Sequence, residues 1–165
     1  MTTKVHGLAE LEKAMRQFPD KLSRNVLRGA LRAGAKEIER EAKEQAPART
    51  EALRESIRVS TRLRQGQPSA TVSAGNRRAW YAHLVEFGTA EHLIKPKHRA
   101  SLLVANVLRE AVQHPGAQAK PFMLPASDAA TPRAILAFTG YIRKRLTRAG
   151  IDAPEVAIED APPAD

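Results

Sequence analysis

The chain contains no cysteine, which excludes disulfides, thiolate metal sites and a cysteine nucleophile. Aromatic residues make up only 4% of it, so its core must be built from Ala, Leu, Val and Ile. An alanine-rich core buries little area per residue. At ~25 cal/mol per Å² of apolar surface it gains less than a Leu/Phe core would. The expectation is a marginal monomer that gains stability by assembling. No apolar run approaches the ~20 residues that a membrane span needs, and residues 1–7 lack the apolar segment of a secretory signal. No membrane partner is expected.

Recognisable chemistry is also missing. The histidines, His6, His83, His92, His98 and His114, form neither an HExxH nor an HxH pattern. No metal site and no cofactor are therefore expected. Gly34, Gly66, Gly75 and Gly88 are isolated and build no phosphate-binding loop. Glu86, beside Phe87, could act as a general acid or base if buried, but nothing supplies a nucleophile partner or an oxyanion hole. The simpler reading of Glu86 is an ion pair with an arginine. No catalytic residue is assigned, and the chain reads as a non-enzyme.

What is present is an ordinary globular balance, with 42% hydrophobic and 27% charged residues over 165 positions. That is room for one domain and a modest tail. The net charge of +9 is uneven: residues 151–165 hold five carboxylates and no Lys or Arg, a net of −5, which leaves +14 on residues 1–150. A basic body suits a polyanion or an acidic protein partner. A solvated arginine-rich helix surface would read the same way.

Leu8, Leu11, Met15 and Phe18 fall on one face of a short helix that Pro19 stops. Asp20 reads as the N-cap of a second helix. Its stripe runs through Leu22, Val26, Ala30, Gly34, Ile38 and Ala42 to Ala46, and Pro47 ends it. Gly29 and Gly34 weaken that helix but permit close approach, which suits packing across a sheet. From Ser56 the period changes to two. Ile57, Val59, Thr61 and Leu63 oppose Arg58, Ser60, Arg62 and Arg64, and Ala70, Val72 and Ala74 return after a turn at 65–68. Residues 56–75 thus read as a β-hairpin. Residues 79–87 read as a short helix closed by Gly88.

Residues 90–113 read as two strands around a turn near Asn106. Pro121 and Pro125 make 120–126 an extended, non-helical segment. A last helix is expected from Ser127 or Thr131, with Pro132 at its first position, carrying Ile135, Phe138, Ile142 and Leu146 to Gly150. The acidic, proline-containing segment 151–165 reads as a disordered tail. The predicted fold is α+β: long helices packed on one face of a small antiparallel β-sheet, with a C-terminal helix and that tail. The domain spans 1–150.

Arg77, Arg78, Trp80, Tyr81 and His83 combine cations with rings able to stack on bases. This supports an alternative, a basic nucleic-acid-binding protein or a small nuclease toxin, although no known binding motif accompanies it. With so few rings in the chain, Trp80 and Tyr81 are more readily spent as core.

Three segments together resemble a known family. They are Ala46-Pro47-Ala48-Arg49-Thr50-Glu51-Ala52-Leu53-Arg54-Glu55-Ser56-Ile57, then Tyr81-Ala82-His83-Leu84-Val85-Glu86-Phe87-Gly88-Thr89, then His114-Pro115-Gly116 with Lys120-Pro121-Phe122-Met123-Leu124-Pro125-Ala126. With Val5-His6-Gly7-Leu8 they resemble, over roughly residues 4–146, the tail-component family of long-tailed phages and prophages, whose members resemble head–tail joining, neck and tail-completion proteins. One departure is Glu51, where the family has glycine; the turn after Pro47 then reads as capped by Thr50 rather than as needing positive φ.

The resemblance implies a structural virion protein at the head–tail junction or tail end, assembled in the bacterial cytoplasm. It implies a homo-oligomeric ring, a hexamer by preference, contacting connector and tail-tube proteins around the DNA channel. A neck protein and a tail terminator would read alike. A closed ring needs two different patches that meet head to tail. Candidates for those patches are Glu86, Phe87, Gly88 and Thr89 at one corner and Pro121, Phe122 and Met123 in an arm that would insert into a neighbour. The other place for Phe122 is its own core. Arg58, Arg62, Arg64, Arg77 and Arg78 are candidates to face DNA or an acidic ring. The acidic tail would shield the basic body before assembly.

Overall fold

A computed structural model describes residues 3–47, 51–96, 101–104 and 107–160. The elements run β1 (Thr3–His6), α1 (Leu8–Met15), α2 (Asp20–Gln45), α3 (Glu51–Ser56), β2 (Arg58–Arg64), β3 (Gln67–Ser73), α4 (Ala82–Phe87), β4 (His92–Ile94), β5 (Leu102–Val104), β6 (Val107–Arg109), β7 (Val112–His114), α5 (Met123–Arg148) and β8 (Ala157–Asp160). The fold is α+β, as the alternation of periods predicts. The described strands pair into four separate two-stranded antiparallel ladders.

The 26-residue α2 is the backbone of the molecule, about 39 Å long at 1.5 Å per residue. It packs on the β2–β3 hairpin and on α5. The two long helices run antiparallel: Gly29 lies against Tyr141, Gly34 against Ala134 and Phe138, and Glu41 pairs with Arg133. The close approach that Gly29 and Gly34 permit is therefore to helix α5 rather than to the sheet. At Gly34 a Cβ would sit 2.8 Å from the Ala134 carbonyl oxygen, inside the contact limit, so only glycine lets the helices touch there.

Two core clusters form at opposite ends of this helix pair. One joins Leu11, Met15 and Phe18 of the N-terminal segment to Val26, Ala30, Ile142, Leu146 and Val156. The other joins Ala42, Ala46, Leu53, Ile57, Ala79, Ala82, Phe122 and Ala126. The small side chains at the α2–α5 contact are what let both helices share so few large residues.

The hairpin forms in the expected register, with Val59 opposite Val72 and Thr61 opposite Ala70. Residues 90–113, read as two strands, hold four short ones among the described residues, β4 to β7; the Asn106 turn lies outside the described residues, as does the Thr50 cap. Three features differ from expectation. A helical turn, α3, precedes the hairpin, with Ser56 Oγ donating to the Leu53 carbonyl at 2.6 Å. Helix α5 begins at Met123 and carries Pro125 in its first turn and Pro132 within it. First-turn amides have no intrahelical acceptor, so Pro125 costs nothing there. At Pro132, packing against α2 outweighs the lost hydrogen bond. Finally, residues 151–160 are ordered: Val156 is buried in the first cluster, and β8 pairs with β1, Val5 opposite Ile158. Strand pairing with β1 and the burial of Val156 seat a segment that composition marks as disordered. Residues 161–165 lie outside the described set.

Candidate assembly interface

Glu86 ends up where neither sequence reading put it. Its carboxylate accepts the backbone N–H groups of Phe122, Met123 and Leu124 at 2.8, 3.0 and 3.3 Å. These are donors that the start of a helix leaves unsatisfied. An anion also sits favourably at the positive end of the helix dipole. Glu86 is therefore the cap of α5, delivered from a distant helix, and not an arginine's partner. It ties the Tyr81–Thr89 segment to the Lys120–Ala126 segment. The Lys120 N–H donates to Val85 O at 2.8 Å, and Thr89 and Ala117 exchange backbone hydrogen bonds at 2.9 and 3.1 Å. Gly88, at φ 71°, lies against the opposite strand, where a Cβ would meet Ala117 O at 2.6 Å. The two motifs are one structural joint.

The proposed arm at 120–126 is thereby corrected. Phe122, 1% exposed, packs in the second core cluster of its own chain, the alternative that the sequence left open. Met123 is partly buried against the same cluster. What the joint presents outward is Phe87, 80% exposed, with Leu124 and Pro121. Tyr81 also packs against this cluster, whereas Trp80 points to solvent, its ring edge-on to Tyr81 at 6.1 Å. Sequence reasoning had placed both in the core.

The arginines divide into two groups. Register places Arg58, Ser60, Arg62 and Arg64 on one face of the hairpin with Gln67, Ser69, Thr71 and Ser73. That face carries no carboxylate. Arg58 donates to the carbonyls of Ser56 and Gly75 at 3.1 and 2.7 Å, which brings it to the loop bearing Arg77 and Arg78. Arg62 and Arg64 sit at the turn end, where the Arg24 guanidinium comes near Gly66. Arg24, not among the candidates read from the sequence, joins this cationic end. Toward the C-terminal end of α2, Lys36 and Lys43 pair with Glu39 and Arg40 pairs with Glu37. Burial pushes the Glu39 carboxyl up, but hydrogen bonds and charge from Lys43 and Lys36 hold it below its ordinary value.

A further surface was missed. Beyond the joint, the described residues between Thr89 and Ala117 pair as antiparallel strands, here called the arm. Thr89 bridges Ala117, β4 pairs with β7, and β5 pairs with β6, the innermost pair in sequence and here called the tip. Leu93, Ile94, Leu103, Val104, Val107 and Leu108 are all exposed on it. The strand pattern was readable; the exposure of its apolar side chains was not.

Among the described residues no group of three metal-ligating side chains converges, and no helix is long and apolar enough to cross a membrane. Residues 9–88 match the family described as "Bacteriophage HK97-gp10, putative tail-component". The resemblance seen in the motifs is thus borne out over the first two segments; the third, at 114–126, lies beyond the match. No curated protein and no solved structure matches the chain.

Proposed function

We propose, for a chain whose residues 9–88 match a phage tail-component family, a non-enzymatic role in the neck or tail-completion ring that joins head to tail. The observation that carries this reading is the joint. Its motif residues build a rigid corner, yet they leave Phe87 80% exposed with Leu124 and Pro121 beside it. A bulky aromatic held outward on a fixed scaffold suits a subunit contact. In this reading Glu86, Gly88, Thr89 and Met123 position the corner, and Phe87 with Pro121 makes the contact. The subunits close into a homo-oligomeric ring, a hexamer by preference, between connector and tail-tube proteins in the virion.

The carboxylate-free hairpin face favours a polyanion opposite it. Arg58, Arg62 and Arg64, with Arg77 and Arg78, would then face DNA in the channel or an acidic neighbouring ring. The same face is what a free nucleic-acid-binding protein would show, so salt-dependent DNA binding alone does not separate the two.

Electron microscopy of particles made without this chain tests the role. Filled heads and unattached tails are expected, with joining restored by the wild-type chain and poorly by Phe87→Asp. Normally joined virions in its absence would overturn the reading. Full joining by Phe87→Asp would remove the corner from the contact.

A further inference from the structure

Between the two core clusters, the apolar stripe of α2 is only partly covered. An open groove of about 580 Å³ lies there, walled by Leu31, Ala35 and Ile38 of α2 and Ile135 and Phe138 of α5. No charged side chain lines it. Its polar groups are few, and Thr131 is already committed, donating to the Ser127 carbonyl of its own helix at 2.7 Å. An ion, a nucleic acid or an acidic peptide has nothing to bind there. Only an apolar occupant fits.

The groove also abuts a strand edge. Ala70, Thr71 and Val72 of β3 all line it. Successive strand residues point to opposite faces, so three in a row are reached only from the side. Among the described residues strand β3 pairs with β2 alone and keeps one edge unpaired. An incoming strand can add to that edge while its side chains fill the groove.

The arm supplies such a strand. Its tip pairs Leu103 with Leu108, and these leucines are 67% and 70% exposed on one face of the ladder. Arg109 is the one charged residue in β5 and β6. A two-stranded ladder alone is marginal in water, and exposed apolar clusters of this kind mark interfaces. Among the described residues, none from the arm lines the chain's own groove.

We propose that the arm tip of one copy, Leu103 and Leu108 foremost, docks in the α2–α5–β3 groove of a second copy. An exposed apolar ladder whose one charge is Arg109 and a groove without charged lining, each with an open strand edge, stand apart on one chain. That is the arrangement of a heterologous, head-to-tail contact. The inference rests on the ring reading above and adds the surfaces that make the ring.

The chain has no cysteine of its own, so disulfide trapping reports one contact cleanly. Leu108→Cys and Thr71→Cys are both at exposed positions. Mixing the two single variants under mild oxidation should give covalent dimers in roughly tenfold excess over either alone, or over Leu108→Cys mixed with Glu12→Cys on α1. The double variant should give a ladder of multimers. Leu108→Asp should weaken self-association by light scattering at least roughly tenfold, with an unchanged melting temperature. No excess over the controls, or dimers from Leu108→Cys alone, would overturn the inference. If particles lacking the chain fail to join while trapping fails, the docking falls and the neck role stands. If particles join normally, the role itself falls.

Discussion

Replacing Glu86 with alanine should destabilise the fold without touching any side-chain partner. The carboxylate caps three backbone amides of α5. Losing an N-cap acceptor costs about 0.5–2 kcal/mol. Losing an anion at a helix N-terminus costs about 0.3–1 kcal/mol more. The partly buried setting places the sum in the upper part of that span, about 2 kcal/mol. For a domain of this size each kcal/mol lowers the melting temperature by about 2–4 °C, so a fall of about 4–8 °C is expected. Glu86→Gln keeps an amide oxygen in place and loses the charge, so it should cost about half as much. Urea denaturation followed by circular dichroism at unchanged m-value measures both. An alanine variant within about 0.3 kcal/mol of wild type would show that water replaces the cap and that Glu86 is not what joins the two motifs. A glutamine variant as damaged as alanine would show that charge, not the hydrogen-bond acceptor, dominates.

Two glycines should respond oppositely to alanine: Gly34→Ala forces a Cβ within 2.8 Å of the Ala134 carbonyl and should destabilise by about 1–3 kcal/mol, while Gly140→Ala, with nothing within 4 Å, should stabilise by about 0.5–1 kcal/mol through helix propensity; equal effects in a urea titration would refute the α2–α5 contact. Acid should also weaken the fold. The Glu39 carboxyl is held below its ordinary value of 4.5 in the native state, so its contribution is present above that pH and lost as pH falls through the lower native value. Melting temperature should therefore drop on acidification below about pH 4.5, and by less in Glu39→Gln; identical pH profiles would refute that assignment.

Much of the architecture was legible because it is local. The stripe from Leu22 to Ala46 and its stop at Pro47 are properties of one helix, and the period-two run from Ile57 to Val72 is a property of one hairpin. Such patterns need only neighbouring residues, so α2, β2 and β3 stand where periodicity put them. The start of α5 was not legible. Pro121 and Pro125 argue locally for an extended chain, but the decisive acceptor, Glu86, is 36 residues from Phe122.

The same division holds for function. Motif order alone pointed to a tail component, and chain composition alone pointed to assembly over catalysis. The roles of individual side chains depended on how separated segments met. Phe122 and Phe87 are both apolar residues in motifs. Tertiary packing spends Phe122 inside one cluster and leaves Phe87 outside it, because the joint closes over one face only. Residues 151–160 follow the same logic: composition marks them as solvated, but the edge of β1 and the open side of the first cluster give Val156 and Ile158 somewhere to go. Burial is a property of the completed fold, so no reading of neighbours along the chain could have assigned it.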